Sequence, residues 1–299
     1  FNKVGDDYAY PFANTVQYFA DDEYTFANLE CTFSDRSLSP VGYPTFYFRA
    51  PTSYVNILLE GGVDFVTTAN NHLNDFGDKG VEDTYATLDN AGLPYGKVGQ
   101  AQVVTTKNGI KIGVYCGFNI NDGYFVPTTD ECVNAINQMK ADGAEYIVMA
   151  FHWGKELYYK PTQKMIDLAQ ACIDAGADLI YGTHPHVLGP IVEYNGGIIM
   201  YSVGNWSFGG NTQPTDQDTA IIQVTIKRDV DGSITTEGYD AIPCCVSSNM
   251  SGGVGYNDYK PTPYPEDNEG YKRVLSKLDM NSGWENANKD YSAWYSAWG

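Results

Sequence analysis

Four histidines, His72, His152, His184 and His186, are the only ones in the chain, and each stands at the end of a run that reads as a β-strand. His72 follows Thr67-Thr68-Ala69-Asn70-Asn71, His152 follows the apolar run from Tyr146 to Phe151, and His184 and His186 follow Tyr181-Gly182-Thr183. Ligands of open α/β sheets bind beyond the carboxyl ends of the strands, so these loops are expected to converge on one site. Imidazoles suit zinc, iron, manganese or nickel. The carboxylate of Glu30 and the amide oxygen of Asn71 are harder donors, suited to manganese, iron or magnesium. A mixed nitrogen and oxygen set predicts a catalytic site and not a structural zinc. One or two divalent ions (Mn, Fe, Zn or Mg) would polarise an electrophilic oxygen and acidify water, while a histidine outside the ligand set protonates a leaving group.

The elements that must carry these residues alternate. Ser53 to Glu60 reads as a helix stopped by Gly61-Gly62, and Val63 to Thr68 as the strand after it. Lys79 to Asn90 is a helix, Ile110 to Tyr115 a strand, and Glu131 to Ala141 a helix. Tyr146 to Phe151 is apolar enough for a strand covered on both faces. Thr162 to Ala175 is the clearest amphipathic helix, with Met165, Leu168, Ala169, Cys172 and Ile173 on one face. Asp178 to Tyr181, Ile198 to Ser202 and Ala220 to Lys227 read as further strands, giving an α/β arrangement that ends in antiparallel β. Composition then turns to Gly, Pro, Tyr and Trp. Residues 1–245 are therefore read as the site-bearing domain, and 246–299 as an extension packed on it with one short helix from Tyr271 to Leu278.

A formal net charge of −19 repels polyanions, which argues against nucleic acid as a partner. No run is long and apolar enough for a membrane span, and no signal-like segment opens the sequence. Six cysteines without CxxC spacing read as buried thiols with room for one disulfide. Tyrosine-rich, lysine-poor composition fits an exported surface protein, and an extracytoplasmic location at the cell surface is the expectation.

Six segments occur in order: Phe26 to Glu30, Phe48 to Pro51, Ala69 to His72 with Asp75 and Gly77, His152 to Glu156, His184 to Val187, and Tyr201 to Trp206. Together they resemble the bacterial CapA/PgsA family, which is linked to poly-γ-glutamate capsule synthesis and belongs to the calcineurin-like metallophosphoesterase superfamily. The resemblance implies a layered α/β/β/α sandwich. It implies that Glu30, Asn71, His152 and His184 hold one metal, that Glu30 and His186 hold a second, and that His72 acts on the leaving group. The family opens with a strand ending in Gly-Asp, well before its Asn-Leu-Glu segment. Val4-Gly5-Asp6 lies too near Asn28 to serve, so the first strand, with its aspartate for the second metal, is expected to be missing from this chain.

Around this set, Asp75 either fixes the tautomer of His72 or caps the following helix. Arg49 either binds an anionic group of the substrate or forms a structural ion pair. Trp153 and Trp206 either wall the pocket or simply pack, and Asn205 is a candidate for substrate binding or support of the site. Hydrolysis of a small phosphoester or amide is the first functional expectation. The alternatives are a non-hydrolytic component that binds acidic polymer beside other capsule-synthesis proteins, and metal-assisted epimerisation with His72 as base.

Overall fold

The structure is a computed structural model that describes residues 3–42, 46–120, 127–252 and 255–284, so residues 285–299 of the expected extension lie outside the described residues. Val4-Gly5-Asp6 falls in turns that lead to a 3-10 turn at Tyr10–Phe12 and to α1 (Val16–Ala20). No strand precedes Phe26 among the described residues. There follow β1 (Phe26–Asn28), β2 (Thr32–Phe33), β3 (Arg49–Ala50), α2 (Val55–Glu60), β4 (Phe65–Thr67), α3 (Gly77–Ala91) and β5 (Tyr95–Gly96). The middle of the chain gives β6 (Ala101–Thr105), β7 (Lys111–Ile120), α4 (Thr129–Ala141), β8 (Tyr146–Gly154), α5 (Gln163–Asp174), β9 (Leu179–Thr183), β10 (Ile191–Tyr194) and β11 (Gly197–Met200). It closes with β12 (Asp218–Arg228), β13 (Ile234–Cys245), β14 (Thr262–Pro263) and α6 (Glu269–Leu278).

The largest sheet runs β10-β11-β9-β8-β7-β6, parallel through its centre and antiparallel at both edges. A parallel sheet β1-β4-β5 and an antiparallel sheet β12-β13-β14 form the second β layer. Apolar burial explains the stacking. Val114, Val148, Ala150 and Tyr181 of the large sheet pack with Phe65, Ala220, Cys245 and Val274 in the core between the layers. On the opposite face Ile147, Met149 and Ile180 meet Ile136 and Met139 of α4 and Ala169 and Cys172 of α5. Helices α3 and α6 cover the second β layer, which completes the α/β/β/α sandwich of the metallophosphoesterase type.

Helix ends follow local chemistry. Thr128 and Glu131 close a reciprocal capping box at α4, and the Thr162 hydroxyl accepts from the Met165 N–H at α5. Gly92 stops α3 in the left-handed region at φ 65°, which glycine enters without steric cost. All six cysteines are free thiols, five of them buried, so the disulfide allowed for by the sequence is not formed.

Strand β8 fixes the orientation of the site. Side chains alternate along a strand, so His152 shares the inter-sheet face with Val148 and Ala150, while Trp153 joins Ile147, Met149 and Phe151 against the helices. Trp153 is 1% exposed and donates its Nε1–H to the Tyr201 carbonyl at 2.9 Å. It therefore cannot wall a substrate pocket, because period two turns the residue after His152 away from the site. Trp206 is likewise drawn into packing, tilted on Phe12 and edge-on to Phe19.

Candidate metal centre

The carboxyl ends of β1, β4, β8 and β9 bring the histidines, Glu30 and Asn71 together, as their placement in the sequence predicts. His152 Nε2 lies 2.8 Å from Asn71 Oδ1 and 3.1 Å from His184 Nδ1. Two electron-rich atoms thus flank His152 Nε2, and a single ring proton can satisfy only part of this triangle. A cation satisfies all three. With ligand bonds of about 2.1 Å, adjacent donors of an octahedral ion sit about 3.0 Å apart, which matches both observed edges. Among the described residues no three His, Cys, Asp or Glu side chains form such a group by themselves. The third member of the triangle is an amide oxygen.

Glu30 stands beside the triangle. Its Oε1 is 3.6 Å from His152 Nδ1 and its Oε2 is 3.9 Å from His186 Nε2, so one carboxylate reaches toward both sides. Burial, followed by the neighbouring imidazoles, holds the pKa of His152 well below the usual histidine range and brings His184 down to about 3. Both rings are therefore neutral near pH 7, the form that ligates a metal. Cys31, the next residue, is pushed up to about 12 by burial and by the charges of Glu30 and Asp75, so it stays a thiol and offers no thiolate.

The His184-Pro185-His186 loop is conformationally strained. His184 has φ 96° and His186 has φ 56°, both in the left-handed region that side chains other than glycine rarely enter. Each such residue costs about 1–3 kcal/mol and persists only where its surroundings impose it. Here the Leu157 N–H donates to the Pro185 carbonyl at 2.7 Å, and Val187 is fully buried with Leu157 and Tyr159.

Supporting residues fix each ring. His152 Nδ1 meets Thr183 Oγ1 at 2.9 Å, its direct cross-strand neighbour in the β8–β9 register. His186 Nδ1 lies 2.8 Å from Asn205 Oδ1, and Asn205 Nδ2 donates to the His186 carbonyl at 3.2 Å. Asn205, expected either to bind substrate or to support the site, is thus occupied in orienting His186. Asp75 Oδ2 is 3.0 Å from His72 Nδ1 and accepts the Phe48 N–H at 2.8 Å, whereas the N-cap of α3 is Phe76. Arg49 donates from one terminal nitrogen to the Arg36 and Leu38 carbonyls and lies over the Phe76 ring. No pair between Arg49 and Glu30 forms among the described residues.

Several residues outside the candidate ligand set also contribute. Asn28 Nδ2 donates to Glu30 Oε1 at 2.6 Å, and its Oδ1 accepts from Thr67 and Asn70. Asn70 also donates to the Leu29 carbonyl and accepts the His72 N–H, which ties the β1 and β4 loops together. Two-residue spacing from Glu30 at the end of a strand is the signal that marks Asn28. Phe48 packs on the His72 ring with centroids 4.6 Å apart, and Phe208 lies parallel to His186 at 5.3 Å. Nothing in their spacing foretells those contacts.

Known proteins share the fold and parts of the sequence. Two solved structures share the fold at low identity: a hypothetical protein from Thermus thermophilus (TM-score 0.53, 14% identical, covering 79% of this chain and 94% of that one) and a phosphatase from Mycoplasma pneumoniae (TM-score 0.50, 15% identical, covering 79% and 88%). The capsule biosynthesis protein CapA of Bacillus anthracis is 29% identical over 248 residues, and the PGA biosynthesis protein CapA of Bacillus subtilis (strain 168) is 28% identical over 249. Those alignments take in 76% and 77% of this chain but 59% and 61% of the relatives, so the chain spans about three fifths of their length. A family model described as bacterial capsule synthesis protein PGA_cap matches residues 2–209, the stretch that holds every histidine, Glu30, Asn71 and Asn205, and the chain belongs to that family.

Proposed function

We propose that this chain is the metal-dependent hydrolytic part of a capsule-synthesis protein at the cell envelope, acting on a phosphoester or an amide-like bond. The observation that carries this reading is the triangle of His152 Nε2, Asn71 Oδ1 and His184 Nδ1 at the spacing of a cation's ligands, with Glu30 between His152 and His186. When bound, a divalent ion such as manganese, iron, zinc or magnesium supplies the positive charge that polarises a phosphoryl or carbonyl oxygen and acidifies water. His152, His184 and Asn71 would hold it, with Glu30 and His186 turned toward a second position. His72, its Nδ1 engaged by Asp75, has no hydrogen bond to Nε2 among the described residues, and that nitrogen would give a proton to the leaving group. Asn205 and Thr183 keep His186 and His152 in their working orientations.

Elemental analysis after manganese loading and dialysis, together with turnover of an aryl phosphate, tests the proposal. The expected outcome is bound metal and hydrolysis, both lost in His152→Ala. A folded protein that retains no divalent metal contradicts the reading.

One observation favours a second reading. Around His186 the nearest carboxylate among those described is Glu30, at 3.9 Å, so the second position is sparsely furnished. A single metal held by the triangle would suit binding of an acidic polymer such as poly-γ-glutamate, with the ion offsetting the negative surface. Polymer binding that needs the metal, without turnover of any phosphoester or amide, is the result that selects this reading.

A further inference from the structure

Phe48 and Phe208 come from loops far apart in the chain, yet they join two imidazoles into one row of rings. Phe48 meets His72 edge-on at 4.6 Å and 62°, Phe48 meets Phe208 at 5.3 Å and 72°, and Phe208 lies over His186 at 5.3 Å and 9°. Core burial does not account for the two phenylalanines. Both are only half-buried, and neither belongs to the apolar clusters formed by the described residues. Phe48 is nonetheless held in place, because its N–H is bonded to the carboxylate oxygen that also faces His72. Half-exposed aromatic surface beside a cluster of polar donors gains free energy when a ligand covers it, and rings prefer partners that are edge-on or offset-stacked.

We propose that Phe48 and Phe208 form an aromatic wall that selects ligands bearing an aryl or similarly flat apolar group on the phosphoryl centre. This inference rests on the metal-site reading above. The anionic end would lie at the His152, Asn71 and His184 donors, and the group departing past His72 would lie against Phe48. A ligand without such a group leaves the wall in water and forgoes that contribution.

Titration of the manganese-loaded chain with phenylphosphonate and with methylphosphonate, neither of which can lose its organic group by ester hydrolysis, tests the wall directly. Wild type is expected to prefer the phenyl ligand about five- to tenfold, the value of one aromatic contact. Phe208→Ala and Phe48→Ala are expected to bring the ratio of the two affinities to within about twofold of one, with Phe208→Leu between them and the wild type. Equal affinities in a wild type that binds manganese overturn the wall and leave the metal site standing. Variants that weaken both ligands while keeping their ratio also overturn it, since the rings would then only position the histidines. A wild type that takes up neither manganese nor phosphonate overturns the wall and the reading beneath it together.

Discussion

Two buried polar clusters in this protein are neutralised in opposite ways. Behind the C-terminal helix, Lys277 donates to Asp216 at 2.8 and 2.6 Å and to Asp218 at 2.6 Å, and Arg273 grips Asp218 with two bonds of 2.6 Å. The hydroxyls of Tyr159 and Tyr264 fill further lone pairs of the two carboxylates. Two cations answer two anions, and the cluster is complete within the chain. At the other cluster the atoms brought together are acceptors or neutral rings, with the carboxylate of Glu30 beside them and no lysine or arginine bonded to it among the described residues. Closed charge belongs to architecture, whereas a cluster short of positive charge is what the proposed cation would complete.

Removing a charge from the closed cluster is the most drastic way to test that contrast. Lys277→Met leaves Asp216, whose side chain is 5% exposed, without its ammonium partner and halves the positive charge facing Asp218. Breaking a buried pair from one side costs about 3–5 kcal/mol, and guanidinium unfolding should show a loss of that size whether or not metal is present. A loss below about 1 kcal/mol would mean that the cluster is more hydrated than its geometry implies. Tyr159 joins Asp216 to the strained His184-Pro185-His186 loop through Leu157 and Val187, so some loss of metal affinity is expected as well.

The open cluster should respond in the reverse manner, with metal affinity falling and chelated stability nearly untouched. Asn205→Ala frees His186 to rotate while deleting none of the four imidazoles. Loss of such an orienting partner typically weakens metal binding about 10- to 100-fold. Calorimetric titration with manganese measures it, and the melting temperature in chelator should barely move. A large fall in chelated stability with unchanged affinity would reassign Asn205 to architecture.

How much of this was legible in the sequence depended on whether the signal was local. Strand β8 announced itself as a run buried on both faces, and α5 by its period, because burial writes those patterns directly. The histidines were found because loops at strand ends have one common destination in this architecture. Strand β13 went unread, since its half-exposed stretch from Ile234 carries Thr, Glu and Asp in place of an apolar run. β6 and β10 are short edge strands whose pairing is decided by the sheet and not by their own composition. At Trp153 adjacency to His152 allows a pocket wall as readily as packing, and alternation along the strand, which puts neighbours on opposite faces, decides for packing. The partners of His186 and His72 needed tertiary contacts that no spacing encodes.

Acid separates the two clusters more gently. Burial and the neighbouring imidazoles lower His184 from 6.5 to about 3, so in metal-free protein its contribution to stability is complete above pH 6.5 and is lost progressively as pH falls toward 3. At Asp218 burial pushes the pKa up, but Arg273 and Lys277 outweigh it and hold the carboxyl below its ordinary 3.8, so this contribution is lost only under more acidic conditions. Acidification from about pH 7 to about pH 5 should therefore weaken the histidine cluster first, by about 1–2 kcal/mol in guanidinium unfolding of the chelated protein. Asp178, pushed up to about 6 by burial, works in the opposite direction because the fold prefers its protonated form, so the comparison must be made against His184→Asn and not against a fixed slope. That variant keeps Asp178 and removes the depressed imidazole, and its stability should fall less on acidification than that of the wild type. Parallel slopes for the two proteins would show that the neutral state of His184 is not what acid attacks.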